Sequence, residues 1–422
     1  MLYIRNWRGF RVVILFESAL IGLITGGVIA GYRHILTLFD TLRRLLYTTL
    51  LDAPAHWTAV LGAAVTGVSF FLGWACKTRP GIKGGGIPQI KNPAFQSRSW
   101  DWVIDMPLKW VTTLLSLGMG LSLGKGGPAV QIGSYIGKGA VMLFPRGPEE
   151  NAGYIKSAGA AAFAGVFNAP LAGVLFAVEE LGMPLSPLFL ACSMSAAVTA
   201  DLTVAACLNT GALFDFTAIQ PLSIALLPWV LLLGFLAALA ADLFKRGIYR
   251  SLSWYEQIPP LLRPLIPSAA AVILGFLCFD LTGGGYELIL SLSREARTLQ
   301  GICFLLAGKL LFTALCAGSG VPGGIFFPLL CCGALVGSGV GSALALAGIA
   351  SEAQILNFMI LGIAAFFTAT HKAPLTGILL ILEMSGTINH LGTLVPVCLT
   401  GLIASELIMS RSINEVLLER QP

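Results

Sequence analysis

A glycine-rich break at Gly124–Gly133 contains the residues best placed to bind a ligand in this chain. Glycine has no Cβ, so its backbone amide can turn toward a ligand, and Pro128 suits the first turn of a helix, where an N–H would have no partner. The first amides of such a helix lack an intrahelical acceptor, and the helix dipole adds a partial positive charge of about half a unit. Gly126 and Gly127 therefore predict an anion site at a helix N-terminus.

Two further breaks of the same kind occur along the chain. Gly84–Pro88 precedes the central break and Gly318–Pro328 follows it, each beside an apolar run. Inside a membrane, a helix broken in this way is tolerated only where it is buried in protein or lines a cavity. Three such breaks are hard to explain by packing alone, so we interpret them as ligand-binding helix starts.

The composition indicates that a membrane protein carries these breaks. Of its 422 residues, 56% are hydrophobic and 11% are charged, and the mean hydropathy is +0.83, whereas charged residues make up about 25% of soluble domains. We expect an integral multi-pass membrane protein, surrounded by membrane lipids and without a nucleic-acid partner. Arginines concentrated in the first eleven residues predict a cytoplasmic N-terminus.

No pattern in the sequence indicates a metal, a cofactor or an enzyme. The nine cysteines lie singly or as one adjacent pair in apolar runs, which is typical of small buried side chains. Gly318-Ser319-Gly320 superficially resembles a serine-hydrolase turn, but no histidine lies near it in the chain, and zinc and phosphate-loop motifs do not occur. The four histidines show no metal-ligand spacing, and we expect them in loops or at helix ends: His34, His56, His371 and His390.

The apolar runs predict an all-α protein of many tilted and broken helices. Val12–Gly31 is expected as the first span, followed by a connector that holds Arg33, Arg43 and Arg44. Gly127–Leu143 is expected as a helix that is too short to cross a membrane unless it tilts or packs against neighbouring helices. Residues 411–422 are expected to form a short charged helix at the C-terminal end.

An internal repeat divides the chain. Ala169–Leu175 recurs as Ala373–Leu379, with each copy running on to a glutamate, and Gly133–Gly137 recurs as Gly333–Gly337 at nearly the same separation. Such motif pairs predict duplicated halves, and broken helices at matching places point to a transport site where the halves meet, near the bilayer midplane. We place the halves at residues 12–210 and 215–410.

These motifs, in their order and spacing, resemble the CLC family of chloride channels and chloride/proton antiporters, in its prokaryotic type without a C-terminal regulatory domain. Gly84–Pro88 is similar to the family's GSGIP segment, Gly124–Pro128 to its GREGP segment and Gly324–Pro328 to its GxFxP segment. Asn168–Gly173 and Ala373–Gly377 also match helix openings of the family. The resemblance implies a single membrane domain over the whole chain, two inverted repeats, and a homodimer with one pore in each subunit, located in a bacterial inner membrane.

The resemblance also implies which residues hold the anion. Backbone amides of the three breaks, together with the residue at the family's tyrosine position, are expected to bind chloride: Gly85, Gly86, Ile87, Gly126, Gly127, Gly324, Ile325, Phe326 and Asn414. Gly124, Lys125 and Pro128 complete the central pore motif. Lys125 stands where the family has an arginine, so we expect it to raise the positive potential near the anion.

Three positions depart from the family pattern. Gly85 replaces the serine of GSGIP, and Asn414 replaces the tyrosine, so two hydroxyl donors to the anion are missing. Gly126 replaces the glutamate of GREGP, whose carboxylate gates the family's pore and accepts protons. Because glycine can neither carry a proton nor close a pore, the sequence predicts anion passage without proton exchange.

Glu180 matches the family's inner proton-transfer glutamate and is a possible inner proton site, since carboxylates within membrane proteins are functional by default. The alternative is that Glu179 and Glu180 form an acidic pair at a helix end, facing cytoplasmic water.

Three functions stay open at this point. They are a passive chloride channel or uncoupled transporter, an anion transporter coupled to another ion or through another proton path, and a non-conducting membrane sensor or assembly subunit.

Overall fold

The computed structural model describes residues 2–420 apart from 52–53, 93–94, 96–100, 146, 210, 212, 215–219, 296 and 387, with side chains from residue 12 onward except that of residue 55. The described residues form α-helices and short 3-10 helices, and their only strand-like pairing is one isolated bridge. This confirms the all-α expectation. The α-helices are α1 (Leu2–Leu51), α2 (Ala55–Thr78), α3 (Ile87–Lys91), α4 (Trp102–Gly118), α5 (Gly126–Leu143), α6 (Pro148–Phe167), α7 (Pro170–Glu179), α8 (Pro187–Leu208), α9 (Leu227–Tyr255), α10 (Leu265–Leu277), α11 (Tyr286–Arg294), α12 (Leu299–Gly318), α13 (Phe326–Leu346), α14 (Ile355–His371), α15 (Pro374–Ser385), α16 (Leu391–Leu407) and α17 (Ile413–Glu419).

The chain is an integral multi-pass membrane protein. Helices α7, α10, α15 and α16 are apolar but shorter than a straight span requires, as expected for tilted and broken helices. In the part of the chain that the structure describes, seven helical segments are long and apolar enough to cross a membrane: Val12–Leu51, His56–Thr78, Pro187–Leu208, Ile224–Tyr255, Leu299–Gly318, Phe326–Leu346 and Glu352–His371.

The first helix is longer than expected. Helix α1 continues without a break to Leu51, so the predicted connector is wrong, and Arg33 and Arg43 lie inside the helix. Their side chains are only 7% and 8% exposed. Arg33 Nη1 donates to Gly165 O at 2.7 Å, and Arg43 Nη1 donates to Leu117 O at 3.2 Å. These two arginines therefore face protein carbonyls rather than lipid, which is how an apolar helix can contain them.

Each central broken helix packs on the helix that follows it through repeated glycines. In α5, a Cβ on Gly133 would lie 2.4 Å from the carbonyl oxygen of Ala158 in α6. In α13, a Cβ on Gly337 would lie 2.1 Å from the carbonyl oxygen of Phe358 in α14. Only glycine permits backbones to approach so closely, so the repeated glycine motif produces the same helix pair in each half.

Helices α7 and α15, the two copies of the repeated Ala-Pro-Leu motif, run antiparallel and cap each other. Glu383, near the end of α15, accepts hydrogen bonds from the amides of Leu171 and Ala172 at 2.9 and 2.8 Å. Glu179, at the end of α7, accepts from two amides at the start of α15 at 3.1 and 2.7 Å. The halves therefore have opposite orientations, as inverted repeats require. Glu179 is partly exposed and acts as a helix cap.

The residue boundaries of the two repeats, 12–210 and 215–410, stay predictions. The predicted boundary at residues 210 and 215 lies outside the described residues, and so do residues 421–422 of the predicted tail. The remainder of the tail contains α17, and an exposed ion pair joins Arg411 Nη2 to Glu419 Oε1 at 2.5 Å.

The mutual capping of α7 and α15 leads to a stability prediction. Glu383→Ala leaves two amides at the start of α7 without their acceptor, and we expect it to destabilise the fold by about 1–2 kcal/mol, the usual effect of losing an N-cap. Thermal unfolding of the detergent-solubilised protein measures this. Glu352→Ala, at an exposed position, is the matched control, and equal unfolding midpoints for the two variants would contradict the prediction.

Candidate functional site

The three glycine breaks lie together in the structure. Gly124 and Gly324 form a two-way backbone bridge, in which the amide of Gly124 donates to Gly324 O at 2.5 Å and the amide of Gly324 donates to Gly124 O at 2.8 Å. The first break joins the third, since Gly84 N donates to Gly320 O at 3.2 Å and Gly323 N donates to Gly84 O at 3.0 Å. Segments that are far apart in the sequence thus form one backbone cluster.

The bridge decides which of the predicted donors are free to bind a ligand. The amide of Gly324 is used within the bridge and does not point to an anion. Helix α5 begins at Gly126 and α13 begins at Phe326, and the first amides of a helix have no intrahelical acceptor. Among the described hydrogen bonds, none uses these two amides or those of the adjacent Gly127 and Ile325. Two helix starts therefore present free donors next to the bridge.

The first break opens α3 and is held by a buried lysine. Gly86 has a φ of +91°, in the left-handed region that favours glycine. Lys109, in α4, is 0% exposed, and its Nζ donates to Gly84 O at 2.7 Å. This bond fixes the loop that presents the predicted amides of Gly85, Gly86 and Ile87.

The second half contains a counterpart that the sequence analysis missed. Lys309, in α12, is 0% exposed, and its Nζ donates to Leu281 O at 3.1 Å and to Gly283 O at 2.7 Å. The triplet Gly283–Gly285 precedes α11 just as Gly84–Gly86 precedes α3. The signal was present in the sequence, because both the triplet and the lysine recur at nearly the separation of the other repeats.

A phenylalanine ring fills the space next to Gly126, where the family pattern has a glutamate side chain. A Cβ on Gly126 would lie 2.8 Å from Cζ of Phe167 and 3.3 Å from Cβ of Phe326. Phe167 is 0% exposed, and its ring centroid lies 5.4 Å from that of Phe326 and 5.3 Å from that of Phe327, on which it stacks. An apolar ring thus takes the place of a titratable group.

A polar network at the end of α6 holds Phe167 in this position. Asn168 follows it with a φ of +51° and ends the helix. Its Oδ1 accepts a hydrogen bond from Arg33 Nη1 at 2.7 Å, and its Nδ2 donates to Asp201 Oδ1 at 3.2 Å. The buried arginine of α1 therefore fixes the backbone that carries the ring.

Two cavities approach the bridge and share no lining residue. The Lys125 cavity, of about 230 Å³, is lined by Gly124 and Lys125 of the pore motif and by Phe327. The Asn414 cavity has a volume of about 390 Å³. It contains most of the predicted anion ligands: Gly85, Ile87, Gly127, Gly324, Ile325, Phe326 and Asn414.

The remaining predicted residues lie between the cavities or beside them. Gly86 and Gly126 do not belong to the lining of either cavity. Pro128 lies in the first turn of α5, with its Cδ 3.1 Å from where a Cβ on Gly324 would be. Phe167 contacts Phe327 and Phe326, which line different cavities. The ring of Phe167 therefore lies next to one wall residue of each cavity, and we interpret it as the barrier between them.

Basic side chains outnumber acidic ones in both cavities. The Nζ of Lys125 lies over the rings of Phe327 and Tyr286, at 5.0 and 5.8 Å from their centroids. The Lys125 cavity is lined by Arg43, Arg44 and Lys125 against Asp40 and Glu287. The Asn414 cavity is lined by Lys83, Arg263 and Arg420 against Glu256. An anion is thus attracted to each side of the barrier.

Asn414 and Glu180 are in direct contact. Asn414 Nδ2 donates to Glu180 Oε2 at 3.0 Å, and Lys91 Nζ lies 3.8 Å from the same oxygen. Glu180 is 1% exposed, so the expectation that it faces cytoplasmic water is wrong. One N–H of the Asn414 amide is used on Glu180 and the second can still point to a ligand, so an anion-binding role for Asn414 and a proton-transfer role for Glu180 stay predictions.

Comparisons with known proteins agree on one family. Residues 68–406 match the family described as voltage gated chloride channel. A relative from Vibrio vulnificus, the H(+)/Cl(-) exchange transporter ClcA, is 30% identical over 97% of this chain and 90% of its own length. A solved structure of a slow cyanobacterial Cl-/H+ antiporter has a TM-score of 0.90 at 28% identity, covering 96% of this chain and 97% of that one. A CLC-type fluoride/proton antiporter, at 23% identity over 94% and 96% of the two chains, has a TM-score of 0.76 and supports the fold alone.

Proposed function

Because this chain belongs to the voltage-gated chloride channel family, we propose that it passes chloride through the membrane without exchanging it for protons. Anion transport is the function of this family, and its members are transporters and channels rather than enzymes. The observation that carries the proposal is Gly126, beside which the ring of Phe167 fills the space of the gating side chain. Neither residue has a group that titrates, so the barrier between the cavities offers no proton acceptor.

The exchange activity of the proton-coupled relatives does not follow from the shared fold. In the family pattern, exchange needs a carboxylate on each side of the barrier. This chain keeps Glu180 beside the Asn414 cavity, but its carboxylate is engaged by Asn414 and Lys91. On the other side, the acidic groups of the Lys125 cavity are Asp40 and Glu287, and Gly126 is not part of that cavity's wall. A proton path that lacks the acceptor at the Gly126 position does not carry protons across the barrier. This disfavours coupling through another proton path.

The proposed path runs from the Lys125 cavity past Phe167 to the free amides of Ile325 and Phe326, and out through the Asn414 cavity. Each missing hydroxyl donor removes a hydrogen bond to the ion worth roughly 1.5–3 kcal/mol. We therefore expect low affinity and weak selectivity among small anions. Weak binding suits a pathway that an ion must leave as readily as it enters.

The proposal extends to orientation and assembly. The N-terminus and the Asn414 cavity face the cytoplasm of a bacterial inner membrane, and two copies form a homodimer with one path in each subunit, embedded in membrane lipids. Exposed apolar side chains on the outer faces of the mutually capped helices and of α16 support a helix-to-helix contact: Leu171, Leu375, Leu391, Leu399 and Ile403. Counting photobleaching steps of singly labelled protein in liposomes checks the dimer.

Chloride efflux from liposomes tests the proposed function. Purified protein is placed in vesicles loaded with potassium chloride, and external chloride is followed with an electrode. Uncoupled passage moves net charge, so we expect fast efflux once valinomycin allows potassium to follow, with no need for a protonophore. Efflux that requires stoichiometric movement of another cation would favour a coupled carrier. Efflux equal to that of empty liposomes would favour a non-conducting sensor or assembly subunit.

Gly85→Ser is expected to strengthen anion binding. A Cβ on Gly85 would lie 3.4 Å from Gly324 Cα, an ordinary contact, so a serine fits and restores a hydroxyl donor at the cavity wall. One added hydrogen bond to an ion predicts an affinity gain of about ten-fold. Calorimetric titration with bromide measures it.

The neighbouring glycine supplies the matched control. A Cβ on Gly86 would lie 2.3 Å from Gln131 Oε1, and its backbone has a φ of +91°, so Gly86→Ser is expected to be strained and to lower the unfolding midpoint. An affinity of Gly85→Ser equal to that of the wild type would show that the cavity wall at this residue does not touch the anion.

A further inference from the structure

His371 is the last residue of α14 and is buried against the start of α13. Its side chain is 3% exposed. The imidazole stacks on Phe367, one turn earlier in α14, with ring centroids 4.7 Å apart and an interplanar angle of 20°. Its centroid lies 4.9 Å from that of Phe326. The ring is thus fixed beside the residue whose free amide opens α13.

The imidazole lines the Asn414 cavity, and no described side chain forms a hydrogen bond with it. His371 belongs to the cavity wall together with Ile325, Phe326 and Asn414. Neither Nδ1 nor Nε2 makes a hydrogen bond of good geometry among the described residues, although the backbone of Phe367, one turn earlier in α14, lies close enough to interact with the ring. A neutral imidazole always carries one N–H donor, and leaving a buried donor unbonded is destabilising. A ligand in the cavity would satisfy this donor.

The charged groups around this helix end are engaged elsewhere. Lys372 Nζ pairs with Glu406 at 2.7 Å. Lys245, in α9, donates to the carbonyls of Ala369 and Arg411 at 3.1 and 3.0 Å. Glu180 is bonded by Asn414. The described residues thus present no carboxylate to the imidazole, and the cavity contents are its available partner.

We propose that His371 donates an imidazole N–H to the anion in the Asn414 cavity. It joins the amides of Ile325 and Phe326 at the same wall and supplies a side-chain donor in a chain that lacks hydroxyls at positions 85 and 414. The ligand class is a small monovalent anion such as a halide or nitrate. The inference rests on the proposed function in that the Asn414 cavity must hold an anion.

Bromide titration of detergent-solubilised protein by calorimetry tests the role of His371. His371→Leu removes the donor and is expected to weaken bromide binding about ten-fold, whereas His371→Gln keeps an N–H donor and is expected to retain most of the affinity. His390→Leu is the matched control, because His390 is also buried, at 2% exposed, but lies outside both cavity walls. Unchanged affinity in His371→Leu would overturn the inference.

Anomalous diffraction from bromide-soaked crystals of the unmodified protein gives a second, independent measurement. We expect a bromide peak in the Asn414 cavity within hydrogen-bond reach of an imidazole nitrogen of His371. A peak that contacts the α13 amides but not the imidazole would overturn the inference and leave the anion path intact. Failure of the wild-type protein to bind bromide in either experiment would contradict the anion site itself, together with the inference.

Discussion

Gly324→Pro is expected to reduce chloride efflux to the leak of protein-free liposomes. Proline has no N–H, so the hydrogen bond from residue 324 to Gly124 O, 2.8 Å long in the structure, cannot form. Its ring would also crowd Gly124 O and Gly127 N, each only 3.1 Å from where a Cβ would lie. Opening the bridge moves the two helix starts apart, and the free amides then no longer converge on one ion.

A second glycine-to-proline change separates this effect from general damage. Gly392 lies in the first turn of α16, and a Cβ there would meet nothing within 4 Å. Proline is tolerated at such positions, so Gly392→Pro is expected to keep wild-type efflux. Both proteins should elute as single species from size exclusion. Efflux near the wild-type rate in Gly324→Pro would show that the bridge does not organise the path.

The double variant Gly126→Glu with Phe167→Ala is expected to create a pH-dependent block. Removing the ring makes room for the glutamate, since Phe167 Cζ lies 2.8 Å from where a Cβ on Gly126 would be. An ionised carboxylate competes with chloride for the helix-start amides. Efflux should therefore be low at neutral pH and rise about ten-fold near pH 4, where a carboxylate becomes protonated.

Two comparison variants make this result specific. Gly126→Gln with Phe167→Ala has the same shape but does not titrate, so its efflux should be the same at both pH values. Phe167→Ala alone should raise efflux above the wild type, because it removes the barrier between the cavities. Equal efflux of the glutamate and glutamine variants at every pH would contradict the assignment of Gly126 to the gate position.

The sequence predicts the elements that depend on local backbone chemistry. The glycine and proline breaks mark the starts of α3 and α5 and the approach to α13, and the repeated Gly133–Gly137 motif marks a helix pair in each half. These features are readable because each requires a residue without a side chain or without an N–H at a fixed place. The meeting of the second and third breaks at Gly124 and Gly324 also follows from the repeat, because inverted halves bring equivalent loops together.

Features that depend on packing between distant segments could not be predicted. Nothing in the sequence around Phe167 predicts that its ring fills the space beside Gly126, because this contact joins the end of α6 to the start of α5. Likewise, nothing in the sequence around Glu179 indicates that its carboxylate caps the start of α15. Arg33 suggested a connector because its partners, Gly165 and Asn168, come from another helix.

Proton movement driven by a chloride gradient is the most direct test of uncoupled transport. Liposomes containing the wild-type protein are given an outward chloride gradient in weakly buffered solution, and external pH is recorded with an electrode. Because the barrier has no titratable group at Gly126 or Phe167, we predict chloride efflux with no proton movement beyond that of empty liposomes. Sustained uphill proton movement that follows the chloride gradient and disappears with a protonophore would contradict the account.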